Sequence, residues 1–219
     1  MKAIVKTFKV ENSFIKNQCY LVYNQEQGIL VDPAWEYDTI ADFIFDKNII
    51  LKAILLTHAH SDHTNLVERF TKNNTVPVYM SGIEIENYEF NTPNLKPITH
   101  LSKISIGDFD IIPIITPGHT LGSTCYLIES HLFSGDTVFI EGVGICNRID
   151  CYRLYDSVQF LKSFLNPNTL FWPGHSFGES PGKDLDYLMK NNIYFQFNDR
   201  EHFVNFRTRK NRPNPFSFE

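Results

Sequence analysis

Apolar positions in this chain fall into short runs that close on Gly, Pro or Asp, and these alternate with stretches of helical spacing. Residues 1–31 read as opening strands. Ile4-Val5-Lys6-Thr7-Phe8-Lys9-Val10 alternates with a period near two, and Gly28-Ile29-Leu30-Val31 ends at Asp32-Pro33. Ala53-Ile54-Leu55-Leu56 is a continuous apolar run of the kind that forms a buried strand, and Ile111–Thr116, His131–Ser134 and Thr169–Trp172 repeat the pattern. Helical spacing predicts helices near 36–47, 64–72 and 152–165, the last from Leu154, Val158, Leu161 and Leu165. A further helix is expected over 182–191, behind Pro181 and with Leu185, Leu188 and Met189 on one face. Between 72 and about 139 the pattern predicts strands separated by Pro- and Gly-marked turns. No repeat or low-complexity stretch interrupts it.

Composition narrows the class. The 219 residues are 42% hydrophobic and 21% charged, ordinary for a globular protein and enough for one large domain with a sizeable core. The lysines near the N-terminus break up what would otherwise resemble a signal peptide, and no run approaches transmembrane length, so a cytoplasmic protein with no membrane partner is expected. Cys19, Cys125, Cys146 and Cys151 show no CxxC spacing and read as buried or inert thiols in a reducing compartment. The net charge of −5 and the lack of a broad basic stripe argue against a nucleic-acid partner.

Chemistry enters at Thr57-His58-Ala59-His60-Ser61-Asp62-His63, which packs four metal-ligand side chains into six residues after an apolar strand. His58 and His60, two apart at a strand end, can project to one side. Asp62 and His63, where Asn65-Leu66-Val67-Glu68-Arg69-Phe70 resembles a helix opening, can point at an adjacent position. Imidazole and carboxylate are preferred ligands of zinc and iron. Three distant strand ends add His119, Asp136 and His175, each behind a glycine that allows a tight strand-to-loop turn. A single histidine after a strand is usually structural, and an Asp after Gly usually marks a turn. Four strand ends carrying one chemistry are harder to attribute to chance.

The order HxHxDH, then His, Asp and His at strand ends, resembles the metallo-β-lactamase-fold hydrolases, and within them the glyoxalase-II-like branch. The segments Ser134–Gly142, Pro173–Gly178, Asn192–Phe197 and Glu201–Arg207 are similar to those of zinc-dependent hydrolases from bacterial polyketide gene clusters. The resemblance implies an α/β fold, a four-layered αβ/βα sandwich, in one domain over 1–219 with a short C-terminal extension from about 192. It implies a first metal on His58, His60 and His119 and a second on Asp62, His63 and His175, with Asp136 bridging. Two zinc ions are expected, iron or manganese being the alternatives, and Asp62 is the candidate catalytic residue. Asp32 stands near the site in such relatives as support for the ligands. Asp136 occupies a position where β-lactam hydrolases commonly carry Cys, which argues against a β-lactamase.

Water between two dications loses much of its proton affinity; one zinc alone brings a bound water from about 15.7 to about 7. The hydroxide can attack an acyl carbonyl while a metal takes up the oxyanion charge. A thiol of pKa about 8.5 leaves as thiolate with no dedicated acid, so thioester hydrolysis asks least of this site. The expected partners are an acyl-thioester substrate and an acyl carrier protein, in polyketide synthesis. Only 44 residues follow His175, short of the helical substrate domain of glyoxalase II. Residues 200–219 carry Arg200, Arg207, Arg209, Lys210 and Arg212 against Glu201 and Glu219, a net +3 in a chain of −5. Arg207, Arg209, Lys210 and Arg212 are candidate contacts for carrier or CoA phosphates, unless the segment is a solvated tail. Tyr194, Phe195, Phe197, Phe203 and Phe206 can wall an acyl pocket or belong to the core. Competing readings are glyoxalase II itself, a mono-iron persulfide dioxygenase, a phosphodiesterase and a non-enzymatic scaffold.

Overall fold

Strand alternation divides the chain into two sheets with three apolar cores. A computed structural model describes residues 2–13, 15–72 and 75–210. The first half supplies β1 (Ile4–Asn12), β2 (Ile15–Tyr23), β3 (Gln27–Val31), α1 (Tyr37–Asp46), β4 (Ile50–Leu55), α2 (Ser61–Thr64), α3 (Val67–Thr71), β5 (Val78–Ser81), α4 (Gly82–Tyr88) and β6 (Leu95–Ile98). The second supplies β7 (Ile104–Ile106), β8 (Phe109–Ile115), β9 (Thr124–Ile128), β10 (His131–Gly135), α5 (Arg148–Phe164), β11 (Leu170–Pro173), β12 (Lys183–Asp184), α6 (Leu185–Asn191), α7 (Ile193–Gln196) and α8 (Arg200–Arg207). One sheet runs β1-β2-β3-β4-β5-β6 and the other β12-β11-β10-β9-β8-β7. Each mixes antiparallel hairpins with parallel pairs, β3–β4–β5–β6 in the first and β10–β11 in the second.

The period of two sends successive side chains to opposite faces. In β2, Tyr20 and Val22 point into the space between the sheets with Val31, Leu55, Tyr126 and Phe133. Cys19 and Leu21 point outward to a core closed by Ile40 of α1 and Val67 and Phe70 of α3. In β9 and β10, Cys125 and Leu132 face a third core, covered by Leu154, Val158 and Leu161 of α5, Leu188 of α6 and Phe203 of α8. The order of layers is therefore helix, sheet, sheet, helix: the four-layered αβ/βα sandwich. No helix among the described residues is long and apolar enough to cross a membrane.

Three differences from the sequence pattern have physical causes. The helix expected from 64 begins at Ser61 and breaks in two, so Asp62 and His63 lie within its first turn. The segment after β5 is a helix, α4, where strands were expected. Its Ile83-Glu84-Ile85-Glu86 reads as a half-buried strand, yet Glu84 is fully buried and Ile83 is 43% exposed, because Glu84 has backbone donors to satisfy inside the fold. Residues 192–208 are packed structure: α7 and α8 are capped by Asn192 and Asp199, and the aromatics there form a cluster, with Tyr194–Phe203 and Phe197–Phe206 ring centroids each 5.3 Å apart. Phe195 and Phe203 are core against the outer face of the second sheet rather than walls of a pocket.

This packing makes α8 part of the cooperative unit. Phe203→Ala should lower the unfolding free energy by about 3–5 kcal/mol, read from urea denaturation. A loss below about 1 kcal/mol would mean that the C-terminal helix contributes little to the fold.

Candidate metal centre

Four strand ends meet at one rim of the sandwich. β4 of the first sheet leads into His58, His60 and the α2 residues Asp62 and His63; β8, β10 and β11 of the second lead into His119, Asp136 and His175. All seven candidate residues come together. They form overlapping trios, His58–His60–His119, His58–His63–Asp136 and Asp62–His63–His175, with the ligand atoms of each within 4.8 Å of one another. Close approach of backbone segments makes this possible. A Cβ at position 174 would lie 2.5 Å from Asp136 Oδ1 and from His63 Cε1, and Gly135 turns with φ 48° where a Cβ would strike Thr57 Oγ1.

Hydrogen bonds at the outer nitrogens fix which atom each imidazole turns inward. His63 Nδ1 lies 2.9 Å from Asp32 Oδ2, His119 Nδ1 2.8 Å from Ile145 O and His175 Nδ1 2.6 Å from Lys16 O. Thr57 Oγ1 donates to Asp32 Oδ2 at 2.6 Å, so it accepts from His58 Nδ1 at 3.0 Å. Each of these four rings donates from Nδ1 and directs Nε2 at the centre. His60 instead presents Nδ1, 3.0 Å from both His58 Nε2 and His119 Nε2. Asp136 stands between the trios: Oδ1 is 3.4 Å from His63 Nε2, while Oδ2 is 3.6 Å from His119 Nε2 and 3.4 Å from His175 Nε2.

These separations suit a shared cation. Donors about 2.0–2.1 Å from one ion in tetrahedral or octahedral arrangement lie about 3.0–3.4 Å apart. Moreover, His63 Nε2 and Asp136 Oδ1 are buried without a hydrogen-bond partner among the described residues, a costly condition that an ion would relieve. The donor set of imidazoles and carboxylates fits zinc or iron.

Charge follows the same logic. Burial pushes His58 well below its ordinary value, reinforced by the neighbouring His63 and His119. Burial lowers His175 too, but the Asp136 and Asp62 carboxylates outweigh it and lift the ring to about 11. His63 is likewise raised, Asp136 and Asp32 overcoming its desolvation. Burial opposes ionisation of Asp136, yet His175 and His63 hold its carboxyl well below the usual range. Both shifts favour the charged imidazole, just as the facing carboxylates favour a cation.

Several supporting residues carry no motif. Asn17 on β2 donates to Asp62 Oδ2 at 3.0 Å and to Asp62 O at 2.9 Å, and its own oxygen accepts from Trp35 Nε1 at 3.0 Å. Glu84 binds the His58–His60 loop through Ala59 N. The Tyr88 ring stands edge-on to His60, and Phe139 and Phe177 flank His175. Asp32, expected as support, takes that place. Of the basic tail, Arg207 is buried, its Nε donating to Gly144 O at 2.8 Å beside the loop that carries Ile145. Its contribution is to packing, which corrects its reading as a surface contact. Arg209 and Lys210 are exposed, Arg209 lying over the Phe206 ring, and Arg212 falls outside the described residues.

The metallo-beta-lactamase superfamily matches residues 14–175. The chain belongs to that superfamily. It is 43% identical to the "Probable polyketide biosynthesis zinc-dependent hydrolase BaeB" of Bacillus velezensis, over 98% of this chain and 97% of that one. It is 31% identical to a hydroxyacylglutathione hydrolase of Shewanella loihica, over 77% of this chain and 65% of the relative. Among solved structures, a metallo-beta-lactamase from Staphylococcus aureus superimposes with a TM-score of 0.84 at 20% identity, covering 97% of this chain and 68% of that one, a likeness of fold alone.

Because the Asp136 and Asp62 carboxylates lift His175 to about 11 and favour the charged form of His63, an ion loading there competes with protons. Zinc affinity should therefore rise as pH rises, about tenfold per pH unit for each proton displaced. Affinities measured from pH 6 to 8, with proton release followed by calorimetry in buffers of different ionisation enthalpy, check this. A flat profile would contradict it.

Proposed function

We propose that this metal-dependent hydrolase is a thioesterase holding two zinc ions, acting on acyl groups carried by CoA, pantetheine or an acyl carrier protein. The observation that carries the reading is Asp136, whose two oxygens face different imidazoles between the His58–His60–His119 and Asp62–His63–His175 trios. The likeness to a polyketide zinc-dependent hydrolase over nearly the full length of both chains supports the substrate class and the biosynthetic setting. When bound, the ions would polarise a carbonyl and acidify water.

The chain's own residues do the rest. The first trio and Asp136 would hold one position, and Asp62, His63, His175 and Asp136 the other. Asp32, Ile145 O and Lys16 O keep the Nδ1 protons of His63, His119 and His175 turned away from the centre. Asp62, steadied by Asn17 and with its side chain partly open to solvent, is the proton-accepting residue of the proposal. Phe139 and Phe177 place apolar rings on the His175 side. A thiolate leaves without a proton donor, which favours a thioester over an amide. A hydroxyacylglutathione hydrolase is the second reading, favoured by the 31% likeness to one.

A panel of acyl-CoA, acyl-pantetheine, acyl-carrier-protein, lactoylglutathione, persulfide and phosphodiester substrates tests the assignment. Thiol release should be fastest from the carrier-type thioesters. Dominant turnover of lactoylglutathione favours the second reading, and turnover of persulfide or phosphodiester alone overturns both. Asp136→Ala should strip both metal positions and cost more than the about 100-fold seen for residues one step removed from a metal; near-normal zinc content by elemental analysis would refute the bridge.

The rest of the basic tail has its own test. Replacing Arg209, Lys210 and Arg212 by Gln should raise KM for carrier-bound or CoA substrates and flatten their salt dependence, while an acyl-cysteamine thioester, lacking phosphates, is hydrolysed as before. Unchanged KM on every substrate would remove these residues from the substrate contacts.

A further inference from the structure

Glu84 is a fully buried carboxylate on α4, and no motif in the sequence points to it. Oε1 accepts from Ala59 N at 3.0 Å, the amide between His58 and His60. Oε2 accepts from Thr120 Oγ1 and Gly122 N, both at 2.9 Å, immediately after His119. One carboxylate thus ties together the two loops that deliver all three members of the first trio, one loop from each sheet. Among the described residues no Lys or Arg forms an ion pair with Glu84. A buried carboxylate with only neutral donors is poorly compensated. Three imidazoles add no charge of their own, so an ion on that trio would supply the missing positive charge nearby.

We propose that Glu84 is a positioning residue for the metal on His58, His60 and His119, locking the two ligand loops in register and adding negative charge behind them. Like the proposed function, this rests on two metal positions. Its consequence is selective: loss of the carboxylate weakens the first position and spares the second, whose ligands Asp62, His63 and His175 are held by Asn17, Asp32 and Lys16 O. Glu84→Gln keeps the shape but removes the charge and turns an NH2 group toward a donor. Thr120→Val removes one of the three bonds and leaves the charge in place.

Zinc affinity measured by chelator competition separates the positions when each is isolated, the first in a His175→Ala background and the second in a His119→Ala background. Glu84→Gln should weaken zinc by about 10–100-fold in the first background and by less than about threefold in the second, with Thr120→Val falling between Glu84→Gln and the parent. Equal weakening in both backgrounds would make Glu84 a general fold residue and overturn the proposal, as would unchanged affinity in the first. Should Glu84→Gln fail to fold, Glu84→Asp and Thr120→Val decide by the same contrast. The two-ion reading fails separately: the parent chain would then take up a single equivalent of zinc, whatever Glu84 does.

Discussion

Crowding of lone pairs at one rim is the constraint on which the rest of the structure depends. Five imidazoles and two carboxylates face one another at separations of 3.0–3.6 Å. Such a cluster is self-repulsive unless positive charge enters it. The carboxylates favour that charge as protons on His175 and His63 when no metal is bound, and a bound ion would supply it instead. The outer hydrogen bonds from Asp32, Ile145 O and Lys16 O commit the Nδ1 edge of their rings in advance, so the lone pairs are already aimed when the ion arrives.

The sandwich makes this cluster possible because neither sheet owns it. The first sheet contributes His58, His60, Asp62 and His63, and the second His119, Asp136 and His175. Several bonds stitch the seam: Thr124 N to Thr57 O at 2.9 Å, Gln18 N to Gly174 O at 2.8 Å, and the Glu84 bridge. A site built across the seam forms only when both halves have packed, so metal affinity and folding are coupled. The C-terminal helix belongs to the same scheme, since Arg207 grips Gly144 next to the carbonyl that orients His119.

What surrounds the centre divides by character. Tyr88 lies on the His60 side and Phe139 with Phe177 on the His175 side, while Asn17 and Ser176 open toward a cleft of about 410 Å³ that also carries Lys9, Lys16, Glu11 and Glu36.

The sequence by itself pointed to the seven residues that the fold brings together at one rim. HxHxDH after an apolar strand, and Gly-His and Gly-Asp at three further strand ends, are local signals, because ligand type and strand-end position are written within a few residues. Strand polarity was legible for the same reason, the period of two reporting which faces are buried, and α1, α5 and α6 followed from helical spacing. Only the tertiary structure decided α4, where the Ile-Glu alternation favours a strand until Glu84 finds its donors on Ala59, Thr120 and Gly122. It likewise decided that Phe195 and Phe203 are core and that Arg207 is buried, since a run of Phe and Arg reads alike whether it lies in solvent or on a sheet. Asn17 and Glu84 stayed invisible for one reason: a residue that serves a ligand through space leaves no spacing in the sequence.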